Sequence, residues 1–383
     1  MYLVDVLPAP VDTSTTTQRT VCFLTLSTPE VDVMNATKPA LGSETVFCAA
    51  NSLSTVYSLS KLIQDSTDVP VPGYTLDTSL SIVPYQYLLS SLLPIPQDCV
   101  LLSLSEARQR NLLSPTEDAR IDMRIGQYLG QLHTNVQNDW FGIPQPPGQT
   151  TEPALIPNGI KLPSFLALAS SPPGGDAAYS WQETFVTLFE SILSQVEERL
   201  RKEKTPASNG HVANGDQGVD KDKERMLPSQ DIHRYLARAI GFYLFDDVEV
   251  PSLVTLTGSA DDVFITLCTP RGDLDGLPPS MPPLPDPEIT CILPSLAHAL
   301  WGDPLIEPIF TPPGPRAAVL EGYEGAGGRP LIVFPRQKTK RLWYTLFSTL
   351  LILVERESLD EVERKAWETV EKCAEALKDA PCY

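Results

Sequence analysis

The stretch WQETFVTLFESILSQVEERLRKE, residues 181–203, constrains the chain more than any other. Phe185, Leu188, Phe189, Ile192, Val196 and Leu200 recur at three- and four-residue steps, which stacks them on one face of an α-helix. Such a stripe is stable only when it is buried against other elements. More helical pattern surrounds it. TEDARIDMRIGQYLGQLH (116–133) places Ile121, Ile125, Tyr128, Leu129 and Leu132 on one face. SQDIHRYLARAIGFYLF (229–245) resumes helical spacing behind Ser229, the expected N-cap. Two closing helices are expected at 340–357 and 358–378, the second packing through Leu359, Val362, Trp367 and Val370.

The first 95 residues differ in kind, being rich in Thr, Ser and Val with sparse charge. RTVCFLTLSTP (19–29) is apolar with β-branched residues and ends at a proline, so it predicts a strand. NSLSTVYSLSKLIQ (51–64) has near-helical spacing, VPVPGYTLD (69–77) is an extended connector, and IVPYQYLLSSLLP (82–94) suits a buried strand. A small mixed segment, a connector and a large helical segment containing two short strand–loop–strand units make an α+β, bilobal order, divided into residues 1–95 and 96–383. Residues 204–227 lack periodicity and apolar mass and are expected to be a disordered insertion, and 270–288 form a Pro-rich loop. The 37 prolines, far above average usage, require abundant loops and extended connections.

A net charge of −19 excludes a broad phosphate-binding surface, and with it a nucleic-acid partner. The seven cysteines form no C-x-x-C pair and the four histidines are dispersed, so neither a zinc site nor a disulfide framework is expected. Cys268 and Cys291 are expected to be reduced core thiols in a cytoplasmic protein. The N-terminus MYLVDVLPAPVD lacks the basic and apolar regions of a signal peptide. The most apolar run, WYTLFSTLLILV (343–354), is too short to cross a bilayer, so no membrane partner is expected.

LVTLTGSADDVFITL (253–267) reads as a strand, a tight polar turn and a second strand, the kind of unit that holds catalytic groups. Other stretches give it a context. IGQYLGQLHTNVQNDWFG (125–142), SWQETFVTLFESIL (180–193), HALWGDPLIEPIF (298–310), VLEGYEG (319–325) and RLWYTLFSTLLILVE (341–355) resemble, in order, segments of the aminoglycoside phosphotransferase family, most closely its fungal branch. The resemblance runs from about residue 67 to 355 and implies a protein-kinase-like fold with a reduced small N-lobe and a mainly helical C-lobe.

Phosphoryl transfer needs phosphate positioning, metal ions and a carboxylate that orients the attacking hydroxyl. The first glycine is Gly42 and the first lysine Lys38, so the strand at 19–29 has neither a glycine-rich turn before it nor a phosphate-pairing lysine, and 45–64 hold no Asp or Glu. PSLVTLTGSADDVFI (251–265) resembles the family's catalytic loop "PRLVLWDL..GNVFV" without gaps. That resemblance puts Thr257 at the catalytic aspartate and Asp262 at the metal-binding asparagine, with Asp261 beside it as a substitute. ILPSLAHALWGDP (292–304) resembles the second metal segment, with Ser295 at the metal aspartate. A hydroxyl neither accepts a proton usefully near neutral pH nor supplies a carboxylate's charge.

The expected protein is thus a pseudokinase with no cofactor, whose cleft binds a small molecule or a protein partner. Asp262 is the candidate metal ligand, and His298, Asp261 and Asp303 are candidate ligand-binding residues. Asp303 and Glu307 are expected to shape their loop and cap a helix, and His133 is expected to be structural. Two alternatives stand beside this reading. One is a metal-independent enzyme of specialised metabolism, catalysing a rearrangement or cyclisation. The other is a small-molecule kinase with relocated residues Asp262, Asp303 and Glu307.

Overall fold

The computed structural model describes residues 2–6, 19–27, 50–96, 99–145, 178–204, 227–268, 286–329, 335–355 and 361–382. Most of the insertion and the Pro-rich loop expected from the sequence, and Lys38, Gly42 and Glu44, lie outside these residues. In chain order the strands are β1 (Tyr2–Val6), β2 (Arg19–Leu26), β3 (Tyr74–Asp77), β4 (Tyr87–Ser90), β5 (Leu93–Ile95), β6 (Cys99–Ser103), β7 (Ser252–Thr255), β8 (Val263–Cys268), β9 (Glu288–Ile292) and β10 (Ala299–Gly302). The helices are α1 (Leu53–Ser66), α2 (Leu104–Gln109), α3 (Pro115–Asn135), α4 (Trp181–Lys204), α5 (Ser229–Gly241), α6 (Ala317–Gly325), α7 (Pro335–Glu355) and α8 (Glu361–Asp379). The chain is α+β. Among the described residues no helix is long and apolar enough to cross a membrane.

Two compact units share these elements. One is drawn from Met1–Lys38, Ala49–Gly175 and Val250–Pro330, the other from Pro39–Cys48, Asp176–Glu249 and Leu331–Tyr383. This division follows packing and differs from the boundary at residue 95.

The first unit holds all three sheets, each antiparallel: β1-β2-β4-β3 with β5 also on β2, then β6-β8-β9, then β10-β7. Three of its helices, α1, α2 and α3, are started by serine side chains. Ser52 accepts the Thr55 N–H at the head of α1. At the head of α3, Ser114 and Glu117 exchange hydrogen bonds as a capping box with Pro115 at the first position. The apolar face of α3 divides its work. Gly126 and Gly130 bring α3 against α6, whereas Ile125, Leu129 and Leu132 face a cavity.

In the second unit the strong periodicity of residues 181–203 becomes α4. Trp181, Phe185 and Phe189 on α4 meet Trp343, Tyr344 and Phe347 on α7 and Phe245 after α5. The Trp181 Nε1–H donates to the Tyr344 hydroxyl at 2.7 Å, satisfying the indole where it is buried. Arg199 pairs with Glu363 at 3.1 Å, tying α4 to α8.

Four expectations need correction. Ser229 is the first residue of α5 and Pro228 its N-cap, with no side-chain cap, because the Ser229 hydroxyl turns back to the Leu227 carbonyl. The apolar run at 82–94 is not one buried strand: β4 and β5 are short, and Ile82, Tyr85 and Leu92 are exposed. On α8 Val362 is exposed and Glu363 buried, because the pairing with Arg199 turns that acid inward.

The fourth concerns Cys268, which is no free thiol: it is bonded to Cys99, directly opposite it in the β6–β8 ladder. Spacing along the chain could not show a partner 169 residues away. Cys291 is a buried thiol, its pKa pushed up to about 12 by burial. Reduction of the Cys99–Cys268 bond removes a constraint on the unfolded chain and should cost about 2–4 kcal/mol. Melting with and without dithiothreitol checks this, and Cys99→Ser/Cys268→Ser should melt at the reduced protein's temperature in both buffers.

Candidate functional site

The turn between β7 and β8 is built from its own polar groups. The Ser259 Oγ accepts the Asp261 N–H at 3.1 Å, and Asp262 Oδ2 accepts the Ser259 N–H at 2.8 Å, closing a 3-10 turn over Ala260–Asp262. Beneath it Glu307, itself buried, accepts the Thr255 N–H at 2.7 Å and the Thr255 hydroxyl at 2.9 Å. A Cβ at position 258 would stand 2.9 Å from Thr255 Oγ1, so the turn lies over this pair only because residue 258 is glycine.

Across from the turn, the Leu293 N–H donates to the Asp262 carbonyl at 2.8 Å. That bond draws the segment after β9 alongside. Thr257 and Ser295, 38 residues apart, therefore meet with their hydroxyls 2.5 Å apart.

The turn forms one end of a cavity of about 360 Å³ within the first unit. Ile63 of α1 and Val69 of the connector, Leu104 of α2, and Ile125, Leu129 and Leu132 of α3 give it an apolar wall. Four charged side chains reach it. Arg108 on α2 pairs with Asp122 on α3 at 2.5 Å, Glu307 is held by Thr255, and Asp262 stands half-buried on the turn. Burial raises the Asp262 pKa above the ordinary carboxylate range, against its hydrogen bonds from Ser259, which lower it.

No family model matches the chain, and no curated protein matches it. Among solved structures the chain is similar to a protein from Ralstonia eutropha described as an aminoglycoside phosphotransferase. The identity is 12% and the TM-score 0.47, over 99% of this chain and 93% of the other. A protein from Haemophilus somnus described as a fructosamine-3-kinase is similar at 11% identity and a TM-score of 0.47, covering 97% and 91%. A thermostable variant of an aminoglycoside phosphotransferase, in ternary complex with ADP and hygromycin B, is similar at 14% identity and a TM-score of 0.42, covering 99% and 94%.

The candidate residues fall in different places. Asp262 and Ser295 line the cavity, and Thr257 is bonded to Ser295. Asp261 is exposed on the outer side of the turn. Asp303 is buried and accepts the Leu305 N–H at 3.0 Å, capping the short turn Pro304–Ile306. His298 is half-buried at the end of another 3-10 turn, outside the cavity lining, where its carbonyl accepts the Leu256 N–H.

His133 is buried behind the site. Its Nδ1 is 3.1 Å from the Tyr323 hydroxyl and its Nε2 3.7 Å from Glu307 Oε1. Burial first, then the charges of Asp303 and Glu307, push the Tyr323 phenol well above its ordinary range.

Arg108 and Asp122 were not expected. Asp118 and Asp122, four residues apart on α3, carried the only signal, since that spacing puts two acids on one helix face and calls for cations to meet them. Arg108 and Arg316 supply those cations.

Proposed function

We propose that the chain is a catalytically degenerate relative of the aminoglycoside phosphotransferases, a pseudokinase that binds a small molecule in the cavity without transferring phosphate. The Thr257–Ser295 hydroxyl pair carries the reading. By the sequence resemblance these residues stand at the catalytic and metal-binding aspartates. Two hydroxyls bonded to each other supply neither a proton acceptor nor anionic oxygen. Magnesium in phosphoryl transfer is held through carboxylates together with substrate phosphates. Of the two carboxylates at the turn, Asp261 is exposed on its outer side and only Asp262 lines the cavity. Among the described residues no cluster of three acid, histidine or cysteine side chains gathers to hold a metal, so this donor set does not fit the ion. Relocation to Glu307 or Asp303 is opposed by their hydrogen bonds to Thr255 and to the Leu305 N–H.

The proposal keeps residues 1–95 as a reduced small lobe and 96–383 as the helical lobe of a fungal cytoplasmic protein. In a reducing cytosol the Cys99–Cys268 bond would be open, and thiol alkylation of protein from rapidly quenched cells tests that placement.

Scanning fluorimetry with Mg·ATP should show no change in melting temperature, and ADP release should not exceed that of Thr257→Ala. A clear Mg·ATP stabilisation sinks the proposal. A second reading, a metal-independent isomerase or cyclase, is supported by the half-buried Asp262 carboxyl in an apolar cavity, where a raised pKa suits a proton donor. It would be distinguished by a product that forms without metal and is lost in Asp262→Asn.

A further inference from the structure

The charges on the cavity wall are not equivalent. Arg108 Nε and Nη2 reach Asp118 at 2.7 Å and Asp122 at 2.5 Å, and Arg316 Nη1 reaches Asp122 at 3.1 Å and also Asp118. Two cations thus meet two carboxylates, and the group is neutral as a whole. Glu307 places one oxygen on the Thr255 N–H and the other on its hydroxyl. Asp262 has no such balance. Its hydrogen bonds come from the backbone and side chain of Ser259, the one charge acting on it among the described residues is the like-signed Asp261, and the cavity it faces is walled largely by apolar side chains.

We infer that the cavity takes a lipophilic cation: a compact amine whose apolar body lies against Ile125, Leu129, Leu132 and Ile292 and whose ammonium meets Asp262. This inference rests on the reading of the cavity as a small-molecule site and names the chemistry that fills it. A half-buried carboxylate without a counter-charge is poorly solvated, and an ammonium restores both charge and hydrogen bonds at once. An anion would face Asp262 with Arg108 already engaged by Asp118 and Asp122. A neutral ligand would cover the carboxylate and leave it unpaired. The volume lies near the small end of the roughly 300–1,000 Å³ of ligand pockets, which suits a compact amine rather than a large polyhydroxylated one.

Calorimetric titration of the full chain at neutral pH with 4-phenylbutylamine, 4-phenylbutanol and 4-phenylbutanoate tests this, since the three share one apolar body. The amine should bind at least tenfold more tightly than the alcohol, about 1.4 kcal/mol, and the acid most weakly. Asp262→Asn should abolish the amine's advantage and leave the alcohol within twofold of its wild-type affinity. Asparagine keeps an oxygen for the Ser259 N–H, so the turn is preserved, and the wild-type ligand series stands even without the variant. Equal affinity for amine and alcohol, or tighter binding of the acid, overturns the inference and leaves the small-molecule site intact. Absence of binding by all three overturns both. An amine preference that survives Asp262→Asn overturns the assignment to Asp262.

Discussion

Gly126→Ala is expected to lower the melting temperature by roughly 2–5 °C, a large loss for a single methyl group. A Cβ at 126 would stand 2.0 Å from the Val319 carbonyl oxygen and 2.8 Å from the Tyr323 nitrogen. These are backbone atoms of α6, and no side-chain rotation relieves the contact. From the other side, a Cβ at Gly322 would stand 2.0 Å from the Met123 carbonyl oxygen of α3. The two helices approach as closely as they do because each presents glycine to the other.

Alanine would gain about 1 kcal/mol in helix propensity. Against this, overpacking costs about 1–3 kcal/mol where side chains can give, and about 3–5 kcal/mol here, where backbone must move. The net expected loss is about 2–4 kcal/mol, which an unfolding entropy of about 0.8 kcal/mol/K for 383 residues converts to a shift of roughly 2–5 °C. Gly126→Ala/Gly322→Ala should lose less than the sum of the single losses, because separating the helices for one methyl makes room for the second. Gly325→Ala, in the same helix with nothing within 4 Å of the new Cβ, should melt within about 1 °C of wild type. Additive losses, or a Gly325→Ala loss as large as that of Gly126→Ala, would mean that the close approach is not what these glycines serve. Because Ile125 and Leu129 of α3 line the cavity, Gly126→Ala should also weaken ligand binding without touching the ligand.

What the sequence made legible follows from how far each feature repeats. Residues 181–203 and 116–133 carry the helical period over many turns, and both form helices within a few residues of the expected bounds. β6, β9 and β10 are four or five residues each, too short for a period to be read, and they become strands through partners distant in the chain. The buried Glu363 and the Cys99–Cys268 bond share that origin, since each is set by a partner more than 160 residues away.

The site divides in the same way. The turn at 257–262 reads locally, because Ser259 and Asp262 complete a capping pattern within four residues. Arg108 on the cavity wall did not, because α2 is a six-residue helix and its arginine acquires a role only when α3 packs beside it.

Glu307→Ala is expected to cost about 3–5 kcal/mol, and the way it fails separates two accounts of the residue. The carboxylate is 4% exposed and is the hydrogen-bond partner of both the Thr255 N–H and the Thr255 hydroxyl. Alanine strands both donors in the interior, each at about 1–3 kcal/mol, and opens a space beside His133. Thr255 ends β7 immediately before the turn that holds Thr257, so the loss should spread into the turn and abolish ligand binding. Glu307→Gln keeps an oxygen for the N–H, and its amide can donate to the threonine oxygen, so it should cost no more than about 1 kcal/mol. Thr255→Val removes one donor together with its need, and should fall between the two. If Glu307→Ala melted like wild type while ATP hydrolysis measurable in wild type disappeared, the carboxylate would be chemical rather than structural, and the kinase with relocated ligands would replace the pseudokinase. If both variants lose stability in the expected order and ADP release stays at background throughout, Glu307 is the strut beneath the turn, and the Thr257–Ser295 pair above it remains without a carboxylate to make it catalytic.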